Sequence, residues 1–273
     1  MANHFTTSDG ISLYYRCRKF RGSPHTLIFL HGLGGNLTAW SMERRFFHGR
    51  KISTYAIDLR GHGYSGRSED PDSYKLPRIA QDINELVIAK KISHPILVGH
   101  CFGGIISIIA AAQKPSLYCS LVLIDTDFKP PWFATDLLDI NLIRALEKPL
   151  SHLPDIHFPS HTNYQQWVGT SDWDWPRIFH DILHTSLKSY LRITHEVTGM
   201  DNSHLLHHLK MPILVISGQD DTIYPPKTAI NLKNKLKQAD FKLIKHGNHI
   251  LVINQPKEIS QAIIDFLSPL HKH

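Results

Sequence analysis

Cysteine is scarce in this 273-residue chain. There are three, at positions 17, 101 and 119, an odd number without the close, even spacing of a disulfide framework. That count points to free thiols in a reducing compartment, and the expected location is cytoplasmic. Long hydrophobic runs are lacking too. The apolar stretch from Ile96 is interrupted by His100 and by the glycines at 99, 103 and 104. Its unbroken part, Ile105 to Ala112, falls far short of the ~18 to 20 residues that a membrane span needs, so no membrane span is expected. Met1 to Gly10 is polar and offers no secretory apolar segment. Internal repeats and low-complexity tracts are missing as well. Charge of one sign is not concentrated into an evident nucleic-acid patch. The net charge is +6 and the pI about 9.1, but Lys227, Lys233, Lys235, Lys237 and Lys242 alternate with apolar residues, as on a solvated helix face and strand edge. No nucleic-acid-binding signature accompanies them, and no nucleic-acid partner is expected.

What is present is alternation. Apolar strand signals fall at Ile11 to Phe20, Thr26 to Leu30, Ile52 to Leu59, Pro95 to Val98, Ser120 to Ile124, Met211 to Ile216 and Phe241 to Ile244. Helical spacing separates them, at Thr38 to Phe47, Pro77 to Lys91, Phe102 to Gln113, Pro226 to Gln238 and Pro256 to Leu267. Continuous apolar strands divided by helices predict a mostly parallel central sheet covered on both faces, an α/β fold. One stretch breaks the rhythm. Between Asp127 and His208 no strand signal occurs, prolines recur, and four of the five tryptophans gather (Trp132, Trp167, Trp173, Trp175). This reads as a helical insertion over the carboxyl edge of the sheet, since a structureless loop of that length is rare.

Chemistry concentrates where strands end. Gly99-His100-Cys101-Phe102-Gly103 lies between a strand and a helix and matches G-x-S-x-G with cysteine in place of serine. A sharp turn there lifts the side chain of residue 101 above the sheet, and small residues at 99 and 103 let neighbouring backbone approach. A thiol at a helix N-terminus is one whose thiolate the helix dipole favours, which makes Cys101 the candidate nucleophile rather than an inert buried cysteine. Such a thiol needs a base, and the base needs an orienting acid. His249 is the favoured base, with His246 the alternative. Asp221 is the favoured acid, with Asp220 its neighbour and Asp125, at the end of an earlier strand, a third option. The glycine turn His31-Gly32-Leu33-Gly34-Gly35 follows a strand and lets backbone N–H groups face a developing oxyanion. The expected donors are those of Leu33 and Phe102. A dinucleotide fingerprint is the rival reading of the same turn, but Leu37 stands at its third glycine position. His204, His207 and His208 have helical spacing open to a metal, yet they lack an acidic or cysteine partner and read as an exposed face.

These motifs, in this order, resemble the α/β-hydrolase fold family with a lid domain. The resemblance runs from about Phe5 to Leu267. It is carried by the H-G-x-G loop at 31–34, by Asp58-Leu59-Arg60-Gly61-His62-Gly63-Tyr64-Ser65, by the turn at 99–103 and by the acid and histidine loops. It implies an α/β-hydrolase core over 1–127 and 209–273, and a helical lid over 128–208 inserted after the sixth strand. In relatives with G-x-x-D after the penultimate strand the aspartate is the triad acid, and Gly218 puts that on Asp221. The D-x-R-G-H-G-x-S stretch is expected to order the loop beside the oxyanion hole. Most members of the family carry serine at the position of Cys101. Cysteine occurs in dienelactone hydrolases and polyhydroxyalkanoate synthases, which the turn resembles locally.

The resulting expectation is an acyl hydrolase with a Cys101-His249-Asp221 triad acting on an ester, thioester or lactone, with no metal and no organic cofactor implied. His31, Gly32 and His100 flank the nucleophile as candidate substrate contacts. Trp132 and Trp167, with Phe133 and Phe158, either line an apolar pocket or form the lid's own core. The expected partner is a small apolar or aromatic acyl substrate, and the chain is expected to be a monomer or homodimer. An acyltransferase with the same residues and a non-catalytic ligand-binding protein on the same scaffold are the alternatives.

Overall fold

A computed structural model describes residues 2–131, 145, 149, 160, 161 and 163–268. Eight strands form one sheet in the order β1-β2-β4-β3-β5-β6-β7-β8. They are β1 Ala2–Thr6, β2 Ser12–Arg18, β3 Thr26–Leu30, β4 Ser53–Ile57, β5 Pro95–His100, β6 Ser120–Ile124, β7 Ile213–Gly218 and β8 Ala239–Ile244. β1 and β2 run antiparallel to their neighbours, and every pairing from β4 to β8 is parallel.

The side-chain alternation of a strand sorts the core into two layers. Ile28 and Leu30 of β3, Leu97 of β5 and Leu121 and Leu123 of β6 face one cluster with α2 (Leu76–Ala89) and α3 (Phe102–Gln113). Leu27, Phe29, Ile96, Val98, Val122 and Ile124 face the other, with α1 (Ser41–Gly49) and, at the carboxyl end of the chain, the helix Pro256–Leu267. Because both faces are covered, β3, β4, β5 and β6 are buried along their whole length, which is why Leu27 to Leu30, Ile96 to Val98 and Leu121 to Ile124 read as unbroken apolar runs.

Between β6 and β7 the described residues hold no strand. They form α4 (Trp175–Thr185) and α5 (Leu187–Thr198), flanked by 3-10 turns at Tyr164–Trp167 and Ser203–His208. Asp174 caps α4 by accepting from the Arg177 N–H, and Ser186, at φ 83°, caps α5 by accepting from Ser189. Then come α6 (Pro226–Lys235), the short α7 (Leu251–Asn254) and α8, the Pro256–Leu267 helix. None of the described helices is long and apolar enough to cross a membrane.

β1 is an element without a clear signal in the sequence. Its residues are largely polar, and it exists because Phe5 and its neighbours pair with Leu13 and the rest of β2 across a tight turn.

Candidate active site

The chain leaves β5 at His100 and enters α3 at Phe102, so Cys101 must turn the backbone alone. It does so at φ 50° and ψ −114°, a region that costs a residue with a Cβ about 1–3 kcal/mol. The surroundings enforce it. The Cys101 N–H donates to Ile124 O at 2.9 Å and its carbonyl accepts from Thr126 Oγ1 at 2.8 Å. A Cβ on Gly99 would overlap the Gly103 carbonyl, and one on Gly103 would overlap the carbonyl of Leu30. The thiol is free and partly exposed.

Two later loops converge on it. After β7, Asp221 receives the backbone N–H groups of Ile223 and Tyr224 on Oδ1, at 2.7 and 2.9 Å. Its Oδ2 accepts from Nδ1 of His249 at 2.9 Å. Burial pushes the Asp221 carboxyl up, but the His249 charge and these hydrogen bonds win, and it titrates below its ordinary value. Burial likewise disfavours imidazolium at His249. The Asp221 carboxylate, which accepts from Nδ1, and the nearby Cys101 side chain outweigh it and hold His249 well above the usual range. Asp220 and His246, the alternatives for acid and base, are exposed.

Asp125, the third acid considered, stands behind this pair. Its Oδ1 accepts from Gly218 N at 2.8 Å, while Oδ2 is buried and makes no hydrogen bond among the described residues. Burial and the neighbouring Asp221 charge push its carboxyl well up, so it is the member that keeps a proton. The folded chain therefore holds a proton that the unfolded chain releases above about pH 4. Its contribution is full below that pH and is lost as pH rises through the folded-state value. Asp125→Asn keeps the acceptor for Gly218 and removes the titration. Its urea midpoint relative to the parent is expected to climb from pH 5 to pH 8, and a constant difference would contradict the assignment.

The residues flanking the nucleophile are tied to the protein. His100 donates from Nε2 to the His249 carbonyl at 2.7 Å, and burial followed by the charge of His249 pushes its ring down to about 3. His31 is buried, donating from Nδ1 to Gly32 O at 2.8 Å and accepting the Leu59 N–H on Nε2 at 3.0 Å. Gly32 packs on the turn, where an added Cβ would come within 3.4 Å of Cβ of Cys101. His100, Asp125 and His249 bring ligand-type atoms within 4.8 Å of one another, but each has an atom engaged in the bonds just described. Trp167 packs against the layer under α1 and α8 and meets His180 edge-on at 5.7 Å. Trp132, Phe133 and Phe158 lie outside the described residues.

The Asp58–Ser65 stretch underlies the glycine turn. Asp58 is fully buried and accepts from Leu37 N, Tyr64 N and His161 Nε2 at 2.8, 2.9 and 2.7 Å. His62 accepts the Gly34 N–H at 3.2 Å and donates from Nδ1 to Arg60 O at 3.0 Å.

Three site residues had no motif to mark them. Asp172, from the β6–β7 connection, accepts from His249 N at 2.7 Å through Oδ1. Its Oδ2 takes Thr222 N and Oγ1, at 2.9 and 2.7 Å, so one carboxylate clamps the acid and histidine loops together. Tyr190 packs at Gly34, and Tyr224 lies with its ring 6.0 Å from that of His249. Burial pushes the Tyr190 hydroxyl up to about 12, with Asp181 and Cys101 adding to it.

A strained turn between a parallel strand and a helix, with acid and histidine loops at the ends of the next strands, defines a class. Residues 25–256 match the alpha/beta hydrolase fold family, and the chain belongs to that family; it is a hydrolase of this fold. Among its relatives is RutD of Agrobacterium fabrum, which carries a provisional assignment as a carbamate hydrolase. The two are 28% identical over 89% of this chain and 93% of that one. The monoacylglycerol lipase ABHD6 of Bos taurus is 26% identical over 94% of this chain and 80% of its own length. Similar solved structures include a thermophilic esterase from Thermogutta terrifontis, with a TM-score of 0.78, 20% identity and 99% of both chains covered. Another is the enol-lactonase from Burkholderia xenovorans, with a TM-score of 0.76, 20% identity and 97% and 100% covered.

Proposed function

We propose that the protein hydrolyses an ester, thioester or lactone through a Cys101-His249-Asp221 triad. The observation that carries this reading is the Asp221 carboxylate accepting from Nδ1 of His249 at 2.9 Å, with the strained turn presenting Cys101 close enough for its side chain to raise the titration of that ring. His249 takes the thiol proton as the sulfur bonds to the acyl carbon. The oxyanion rests on the N–H groups of Leu33 and Phe102. As the carbonyl re-forms, the bond to the leaving group breaks and His249 returns the proton to it. Water, deprotonated by His249, then attacks the thioester and releases the acid and the free thiol. Asp221 keeps the ring oriented and stabilises imidazolium.

The relatives named for carbamate and monoacylglycerol cleavage share one electrophile, a carbonyl bearing a heteroatom leaving group. A thiolate suits the activated members of that set. The connection between β6 and β7 is read as a lid. Its grip on the site runs through Asp172 and through the Asn248 and Asn254 amides, which donate to Thr170 O at 2.9 and 3.1 Å. Substrate enclosure by Trp132 and Trp167 belongs to the same reading, as does an apolar or aromatic acyl group.

The test is intact-protein mass spectrometry after brief incubation with a panel of lactones, thioesters and aryl esters. An acyl increment that peptide mapping assigns to Cys101 is expected. Turnover of any panel member without an increment, undiminished by thiol alkylation, would refute the cysteine route. Asp172→Ala tests the clamp. Loosening the histidine loop by about 1 Å is expected to lower kcat roughly 10²-fold with KM little changed, and an unchanged kcat would remove Asp172 from the account.

A further inference from the structure

One edge of the molecule carries a charge imbalance that hydrolysis does not use. Between residues 11 and 57 the chain has six arginines and two lysines against a single carboxyl, Glu43. Glu43 is fully buried, and burial pushes it well above the usual carboxylate range, so it does not offset them. β2 and α1 gather the charges because both meet β4. Arg16 and Arg18 lie opposite Ala56 and Thr54, and His48 of α1 bonds Thr54 Oγ1 at 2.7 Å. Burial lowers the Arg44 guanidinium and the charge of Arg16 lowers it further. His48 is pushed down to about 4 by burial and then by Arg44 and Arg18.

A cavity of about 250 Å³ opens here, lined by Arg16, Thr38, Ser41, His161, Asn163 and Gln165 among others. Arg16 reaches no carboxylate among the described residues; it meets Tyr14 Oη at 3.3 Å and Nδ1 of His161 at 3.4 Å. His161 is turned that way because its Nε2 donates to Asp58. The Nε of Arg44 is buried and makes no hydrogen bond among the described residues. By contrast Arg60, Arg78 and Arg177 each pair with a carboxylate. Asn163 accepts the Gln165 N–H on Oδ1, leaving its NH2 group as a donor.

We propose that this cavity binds a phosphate group, held in the fork of Arg16 with the charge of Arg44 behind it. An arginine fork matches the tetrahedral oxyanion, and neighbouring guanidiniums without acids are relieved by an anion. Cys101 is not among the residues that line the cavity, and the test of the site does not use activity. The probe is inorganic phosphate, compared with chloride at equal ionic strength to remove screening. Phosphate at ten times its Kd is expected to raise Tm by roughly 3 °C. Arg16→Gln and Arg44→Gln, first shown by circular dichroism and Tm in chloride to fold like the parent, are expected to lose the response. A parent response no larger than chloride's, or one kept in both variants, overturns the site. Vesicles of phosphatidylglycerol identify the source. Binding displaced by phosphate indicates a lipid headgroup in the cavity, and a phosphate response without vesicle binding indicates a free phosphate compound. Vesicle binding that phosphate does not displace, with no Tm response, would mean diffuse surface charge and overturn the proposal.

Discussion

Cys101→Ala is expected to lower kcat/KM by at least about 10⁴-fold on any substrate that acylates the parent. The size follows from the route. Removing the sulfur removes the covalent intermediate and leaves only the Leu33 and Phe102 N–H groups and substrate binding to assist direct attack by water. The loss belongs in kcat, because the sulfur acts in the chemical step and the residue, only partly buried at the margin of the core, is a minor packing element. Stability is expected to change little, since alanine carries the same cost at φ 50° as cysteine does. His249→Ala is expected to match the loss, and the double variant to add little to either, because the two act as one unit. Steady-state kinetics with an activated aryl ester, alongside circular dichroism for the fold, measures all three. Should Cys101→Ala keep more than about a tenth of parental kcat/KM, the nucleophile is another group and the mechanism above fails.

The legible parts of this molecule share a physical property. Thr26–Leu30 and Ser120–Ile124 are buried on both faces, so their bounds coincide with their apolar runs. Phe102–Gln113 begins where a turn residue forces it to, and Pro256 pre-sets the first turn of α8. Edges are harder to read. β1 depends on pairing with β2 rather than on its own side chains, and β8, half exposed, starts at Ala239, two residues before the apolar signal at Phe241. The site divides the same way. Cys101, Asp221 and His249 each sit in a loop closing a recognisable strand. Asp172 does not, and it reaches His249 across 77 positions by a contact that only the folded connection creates. The sequence offered Asp125 as an alternative acid. Burial and then the charge of Asp221 push the Asp125 carboxyl well up, whereas Asp221 titrates below its ordinary value, a distinction that depends on burial. The Arg16 and Arg44 cluster escaped notice for a related reason, since its members lie far apart in the chain and meet only where β2 and α1 flank β4.

The largest stability loss is expected at Arg60. Its side chain is completely buried, with Nε and Nη2 on the two oxygens of Asp82 at 2.8 and 2.7 Å and Nη1 and Nη2 on those of Asp9 at 2.7 and 2.8 Å. Asp82 is buried as well, and burial pushes its carboxyl up against the pull of Arg60 and Arg78. Arg60→Met fills similar space but strands that carboxylate with Arg78 alone, at 2.6 Å. Breaking one side of a buried ion pair costs about 3–5 kcal/mol, whereas replacing both sides with apolar groups is far milder. Arg60→Met is therefore expected to lose about that much in urea unfolding at pH 7, and adding Asp82→Leu to recover a large share. The deficit has a pH signature. Arg60 holds the Asp9 carboxyl well below its ordinary value, a contribution present above about pH 4 and lost as pH falls through the folded-state value, so the gap to the parent narrows in acid. The damage also has a path to the site. The Arg60 carbonyl accepts from His62, and His62 accepts from Gly34 in the glycine turn, so residual activity is expected to fall in the folded variant too. A loss under about 1 kcal/mol at pH 7 would show that Arg78 alone suffices for Asp82, and that the guanidinium at 60 is not what anchors the loop under Cys101.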